Sequence, residues 1–130
     1  MEHRFTHRVI YQDTDAEGVV YYANYLGYFE RGRMELLRSL GFPMKKLKEQ
    51  FGIVFAIRKV ECEYLAPALL EDEITIETEI AGHTAATVDF VQRAKRGDQV
   101  LVSARIQACA IDIEKFRPVR IPQELTDQLK

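Results

Sequence analysis

The stretch Tyr11–Leu40, YQDTDAEGVVYYANYLGYFERGRMELLRSL, decides how the chain is organised. It opens with two carboxylates, Asp13 and Asp15, in a polar turn with Gly18, and runs directly into an aromatic-rich segment. From about Tyr22 to Leu40 the apolar positions Tyr22, Tyr25, Leu26, Phe29, Leu36, Leu37 and Leu40 recur mostly at three or four residues, with Glu30, Arg31, Arg33, Glu35 and Arg38 between them. That is the period of a long amphipathic helix. Gly27 and Gly32 would each weaken it by about 1 kcal/mol in isolation, so packing must offset them, and small residues let a helix axis lie close against a sheet. Gly41 and Pro43 supply the stop. The mouth of a helix offers unpaired N–H groups and a partial positive charge, which stabilise an oxyanion forming on a bound carbonyl. Asp15 lies seven residues before Tyr22, far enough for the loop to fold back and set a carboxylate beside those donors. Such an arrangement suits acyl transfer to water. The same spacing equally fits an Asp that only caps a turn or a helix.

Outward from this stretch the periods change. Arg4–Gln12 alternates as a strand, with Phe5, His7, Val9 and Tyr11 on one side and Thr6, Arg8 and Ile10 on the other. After the long helix, Met44–Gln50 reads as a short helix. Phe51–Tyr64 reads as a long strand with Val54, Ala56, Arg58, Val60, Cys62 and Tyr64 on one face, broken by Pro67. Glu73–Gly82 is a half-buried strand, with Ile74, Ile76, Thr78 and Ile80 opposite an outward Glu73, Thr75, Glu77 and Glu79. Thr84–Arg96 and Val100–Ile113 form a hairpin around Arg96, Gly97, Asp98 and Gln99. A short helix follows Pro122. Short links between successive strands make an antiparallel sheet, and one long apolar helix would pack across its concave face, giving an α+β domain. Such a sheet leaves an edge exposed, and pairing with a second subunit would cover it.

The 130 residues are one domain by length, and 47% hydrophobic residues suffice for a core. A net charge of −2 and a pI near 5.9 carry no footprint of nucleic-acid binding. The start MEHRFTHR is too charged for a signal peptide, and no apolar run approaches the length of a membrane span, so a cytoplasmic protein is expected. Cys62 and Cys109 have no C-x-x-C spacing and read as buried free thiols; His3, His7 and His83 form no ligand pattern. No metal is expected. The absence of G-x-S-x-G argues against an α/β-hydrolase route.

Four motifs carry a resemblance. D-x-D-x-x-G-V-V-Y-Y-x-N-Y over Asp13–Tyr25, followed by F-E-R-x-R over Phe29–Arg33, resembles the 4-hydroxybenzoyl-CoA thioesterase-like branch of the hot-dog superfamily, especially the bacterial short acyl-CoA thioesterases associated with the Tol-Pal system. F-V-Q-R at Phe90–Arg93 and F-R-P-V-R-I-P at Phe116–Pro122 extend the likeness over almost the whole chain. It implies a hot-dog fold over residues 1–130, a five-stranded antiparallel sheet wrapped around one long central helix, in dimers that often build tetramers. It also implies hydrolysis of a short-chain or aromatic acyl-CoA to free acid and coenzyme A, without a cofactor.

By the same resemblance Asp15 is the catalytic carboxylate, acting as nucleophile or as general base on water. Tyr22 is the position at the helix head whose backbone N–H polarises the thioester carbonyl, and Gly18 and Val19 belong to the substrate-binding loop. Lys115 and Arg117 fall where benzoyl-CoA members contact the nucleotide, with His83 and Thr84 in the corresponding turn. Some relatives carry His where this chain has Tyr22, which speaks against a role for an imidazole here. Relatives often have a basic residue near Ala85 or Ala86, and this chain does not. Asp13 is assigned to shaping the turn, Glu17 to solvent, and Glu30 to an ion pair with Arg31, Arg33 or a neighbouring strand rather than to a second acid role. Acyl carrier protein is an alternative thioester donor. Two other classes compete: a non-catalytic acyl-CoA or acyl-carrier scaffold, which would not need Asp15, and a dehydratase, which lacks its His because none lies between His7 and His83.

Overall fold

The computed structural model describes residues 2–129. In chain order these form β1 (Glu2–Arg8), a 3₁₀ turn (Tyr11–Asp13), α1 (Asn24–Ser39), α2 (Met44–Phe51), β2 (Ile53–Tyr64), β3 (Glu73–His83), β4 (Thr87–Arg96), β5 (Gln99–Asp112) and α3 (Gln123–Thr126). The five strands make one antiparallel sheet in the order β1-β3-β4-β5-β2. β3, β4 and β5 form a meander through short turns, and Gly97 accepts the positive φ that the β4–β5 turn requires. β1 and β2 are the two edges. Among the described residues no helix is long and apolar enough to cross a membrane.

α1 turns Tyr25, Phe29, Gly32, Arg33, Leu36 and Leu37 inward, and lies against β1, β3 and β4. Its first half closes a core cluster with Val9, Ile74, Ile76 and Ile106; its second half joins Leu47 of α2, Phe90, Ile121 and Leu125 of α3 in another. The long helix is thus accompanied by α2, an eight-residue helix against β2. The two helical glycines differ. A methyl at Gly32 would overlap the Thr78 hydroxyl and press on the Gln92 amide, whereas Gly27 has open space around it. Only Gly32 is required by close approach.

Under Gly32 lies a polar knot. Gln92, fully buried, accepts from Arg33 Nη1 at 3.0 Å and donates through Nε2 to Phe29 O and to Thr78 Oγ1, both at 2.8 Å. Burial alone would be unfavourable for each group, and mutual hydrogen bonding offsets this.

Several local expectations change. β1 ends at Arg8, and the 3₁₀ turn throws Tyr11 outward to 81% exposure, off the face shared by Phe5, His7 and Val9. α1 begins at Asn24, so Tyr22 stands in the turn before the helix. In β2 a bulge between Ile57 and Lys59 inserts Arg58 as an extra residue and switches the alternation. Phe55, Ile57, Val60, Cys62 and Tyr64 therefore face inward with Ala110, Ala108, Ile106, Ala104 and Val102 of β5, while Val54 and Ala56 face outward. On the outer face, Glu77 is buried under Arg93 (3.1 Å), Arg4 (3.4 Å) and Lys95 (3.5 Å). Glu30 is exposed and has no ion pair among the described residues; Arg31 instead lies over the Phe5 ring, 4.5 Å from its centre.

Candidate active site

Asp15 is carried by a tight loop between two short backbone contacts. Thr14 bridges Val20, Asp15 N–H donates to Val19 O at 2.9 Å, and Gly18, at φ +81°, donates back to Asp15 O at 3.1 Å. The side chain's Oδ1 accepts from Glu17 N–H at 2.8 Å. Among the described residues no cation pairs with this exposed carboxylate, which is free to act as a base or a nucleophile.

Asp13 anchors the loop. Its Oδ2 accepts from Ile10 N–H at 2.8 Å and from His7 Nε2 at 2.9 Å, while its backbone carbonyl accepts from Tyr21 N–H (2.9 Å) and Asn24 Nδ2 (2.8 Å). One residue thus ties the end of β1, the loop and the head of α1. Partial burial by itself would raise the Asp13 carboxyl. The Ile10 N–H and the His7 ring outweigh it, helped by the Tyr28 hydroxyl, which approaches without meeting a partner at hydrogen-bonding geometry. The net effect holds this carboxyl below its ordinary range. A depressed carboxyl contributes stability that is present above its unfolded value, about 3.9, and is lost as pH falls through the folded one. Asp13→Asn is therefore expected to be less stable than wild type at pH 7, with the difference narrowing below about pH 4. Thermal melts across that range check this; a constant difference at all pH values contradicts it.

The mouth of α1 is uncapped. Ala23 occupies the N-cap and has no side-chain acceptor to offer, while the neighbouring Asn24 turns its amide to Asp13 O. Asn24, Tyr25 and Leu26 N–H groups close back onto Tyr21, Tyr22 and Ala23 carbonyls. Among the described residues the Tyr22 and Ala23 N–H groups have no acceptor, so two donors remain for a ligand.

Asp15, Val19 and Tyr22 share a hollow of about 330 Å³ with Tyr25, Tyr64 and the Leu65–Pro67 segment. Gly18 forms the loop's turn and does not line it. Burial pushes the Tyr25 phenol up, and burial with the neighbouring Cys62 pushes Tyr64 up to about 12, so both stay neutral hydroxyls at physiological pH. Tyr25 accepts from Ala68 N–H at 3.2 Å and keeps its proton to donate. Nothing in the spacing of the sequence marks Tyr64 and Leu65 as site residues. An apolar strand end just before Pro67 was the available signal.

His83, Thr84, Lys115 and Arg117 lie elsewhere, together at the opposite end of the sheet, where Ala110 N–H bonds Ala86 O and Asp112 N–H bonds Arg117 O. Thr84 Oγ1 is engaged within its own turn by Thr87. The length of β2, 12 residues, separates the two groups by roughly 35 Å. The neighbouring hollow of about 450 Å³ is lined by Asp112, Glu114 and Glu124 beside Arg120, a charge balance that disfavours phosphate. Among the described residues no cluster of acidic, His or Cys side chains could hold a metal.

Comparison with known proteins identifies the family. The family model described as "Thioesterase-like superfamily" matches residues 9–129. The chain is 40% identical over 121 residues to acyl-CoA thioesterase YbgC of Haemophilus influenzae, covering 93% of this chain and 89% of that protein. It is 36% identical over 128 residues to acyl-CoA thioester hydrolase YbgC of Escherichia coli, covering 98% and 95%. The crystal structure of a probable thioesterase from Bartonella henselae superposes with a TM-score of 0.88 at 36% identity, over 94% of this chain and all of that one. With its five-stranded antiparallel sheet and a family match over nearly its full length, the chain belongs to the Thioesterase-like superfamily and is a hot-dog thioesterase.

Proposed function

We propose that this thioesterase hydrolyses acyl-CoA to a free acid and coenzyme A, with Asp15 as the catalytic carboxylate. The observation that carries the reading is the hollow in which an unpaired Asp15 carboxylate meets the uncapped mouth of α1. The thioester carbonyl oxygen accepts from the Tyr22 N–H, so negative charge developing on it meets the positive end of the helix. In the general-base route Asp15 takes a proton from water as the water oxygen bonds to the carbonyl carbon. The C–S bond then breaks, and the thiolate regains the proton. In the nucleophilic route an Asp15 oxygen bonds to the carbonyl carbon and the C–S bond breaks, expelling the thiolate; water then cleaves the resulting anhydride to the free acid, and the proton left on Asp15 passes to the thiolate, restoring the carboxylate. A thiolate needs no strong general acid, so one carboxylate and a few N–H donors suffice. A hollow near the lower limit for ligand sites, walled by tyrosines, suits a short or aromatic acyl group. Relatives named acyl-CoA thioesterase and acyl-CoA thioester hydrolase support coenzyme A as the donor.

A second copy completes the site in this reading. Roughly 35 Å exceeds the reach of an extended pantetheine arm, so Lys115 and Arg117 cannot serve the Asp15 of their own chain. Ile57, Val60 and Tyr64 on the inward face of edge strand β2 are 46%, 43% and 44% exposed, an apolar row that a partner would cover. Antiparallel pairing of two β2 edges about a two-fold axis sets the start of one β2 beside the end of the other. The nucleotide end of one chain then faces the Asp15 hollow of its partner.

The test is release of free thiol from a panel of short-chain and aromatic acyl-CoA substrates, with sedimentation on the same sample. Turnover and a dimer or tetramer are expected. No thiol release across the panel would favour the scaffold reading, and a 15 kDa monomer alone at micromolar concentration would defeat completion by a second copy.

A further inference from the structure

Phe116 occupies a conformation that bulky residues avoid. Its φ is +52°, in the left-handed region that a β-carbon resists and glycine adopts freely. Its ring is 80% exposed, so burial does not offset the strain. The turn that holds it is well tied. Phe116 N–H donates to Asp112 O at 2.8 Å, Asp112 N–H to Arg117 O at 3.0 Å, and Glu114 N–H to Asp112 Oδ1 at 3.0 Å. Lys115 and Arg117 are the neighbours of Phe116 in sequence, are exposed, and have no ion pair among the described residues. A flat ring held in solvent on a turn that also carries two unpaired cations suits a planar ligand that carries phosphates.

We infer that Phe116 is the platform on which the adenine of coenzyme A stacks, with Lys115 and Arg117 taking the nucleotide phosphates. The inference rests on the acyl-CoA reading for the identity of the ligand, and it adds a base-recognition element that the cations alone cannot supply. Lysine and arginine attract any polyanion, whereas an aromatic face selects a flat base. The position agrees with a site built from two chains, since the turn lies at the end of the sheet that two-fold pairing brings to the partner's Asp15 hollow. The strained backbone also has a purpose there, because the turn aims the ring away from its own fold.

The experiment is calorimetric titration of adenosine 3′,5′-bisphosphate into the full chain, F116G and F116Y. Glycine accepts the positive φ, so F116G keeps the turn and its thermal midpoint does not fall. The platform is gone, and Kd rises about tenfold or more, the scale of base–aromatic stacking. F116Y keeps the ring and holds Kd within about twofold. Equal affinity for wild type and F116G, or no binding to wild type, overturns the inference. So does an F116G protein that sediments as a monomer where wild type is oligomeric, which would assign the ring to the subunit contact. Thiol release from acyl-CoA by wild type is scored separately. A protein that binds the bisphosphate through Phe116 but hydrolyses no thioester refutes the thioesterase chemistry and upholds the nucleotide platform.

Discussion

Asp15→Asn is expected to lower kcat for acyl-CoA hydrolysis by at least about 10²- to 10⁴-fold, the usual worth of general-base catalysis. The amide preserves size and can still accept the Glu17 N–H that the carboxylate oxygen accepts at 2.8 Å, so loop, fold and oligomer persist. What disappears is the basic, nucleophilic oxygen. Thiol release measured per folded enzyme, with a melt and a sedimentation run on the same variant, separates chemistry from structure. An Asp15→Asn protein with near wild-type kcat would move the chemistry elsewhere. A variant that fails to fold would make Asp15 a turn residue whose loss is structural. Asp13→Asn is the contrasting variant, because Asp13 holds four donors that fasten the loop and does not line the hollow.

The largest effect on stability is expected from Gln92→Leu. The substitution roughly keeps volume but leaves the Arg33 guanidinium, 9% exposed, without its buried acceptor, and burial already disfavours that charge. Hydrogen bonds to charged groups are worth about 1.5–3 kcal/mol, so the thermal midpoint should drop by roughly 10 °C for a domain of this size. Arg33→Met with Gln92→Leu removes the stranded charge along with its partner and should recover most of the loss. Denaturation at one fixed protein concentration measures both. A single Gln92→Leu variant within about 0.5 kcal/mol of wild type would show that water reaches the guanidinium and that the knot contributes little.

The ability to read this fold from sequence followed the range of the interactions. Alternation in Glu73–Gly82 and the turn at Gly97 are local, and β3 and the β4–β5 hairpin appear close to where they were expected. The two faces of β2 are not legible in the sequence, because apolar residues lie on both sides of Arg58 and a bulge leaves no mark in the alternation. The apolar spacing runs smoothly through Tyr22 and so predicts a helix start two residues before the observed one, while the shift to Asn24 depends on an amide reaching Asp13 O. Arg33 looked like an ordinary polar position between apolar ones. Only the approach of Thr78 and Gln92 to Gly32 reveals it as buried. For the site, Asp15 and Tyr22 stood out through their motif, and the structure sets both on one hollow. The wall contributed by Tyr64 and Leu65 comes from a distant strand, and no nearby spacing announces it.

The place of β2 in the sheet also bears on how the chain comes together in time. β3, β4 and β5 zip up from neighbours in sequence, but Ile53 must wait for Asp112 and Tyr64 for Val102, so β2, like β1 with its still more distant partner β3, closes a costlier loop than any hairpin of the meander. As the chain emerges during synthesis, this strand exists long before its partner does. Its apolar row of Ile57, Val60 and Tyr64 stays open during that interval. A strand that waits for its partner within the subunit is also the one whose edge the proposed dimer would pair, and in that dimer completion of the subunit and the meeting of two chains would converge on a single event.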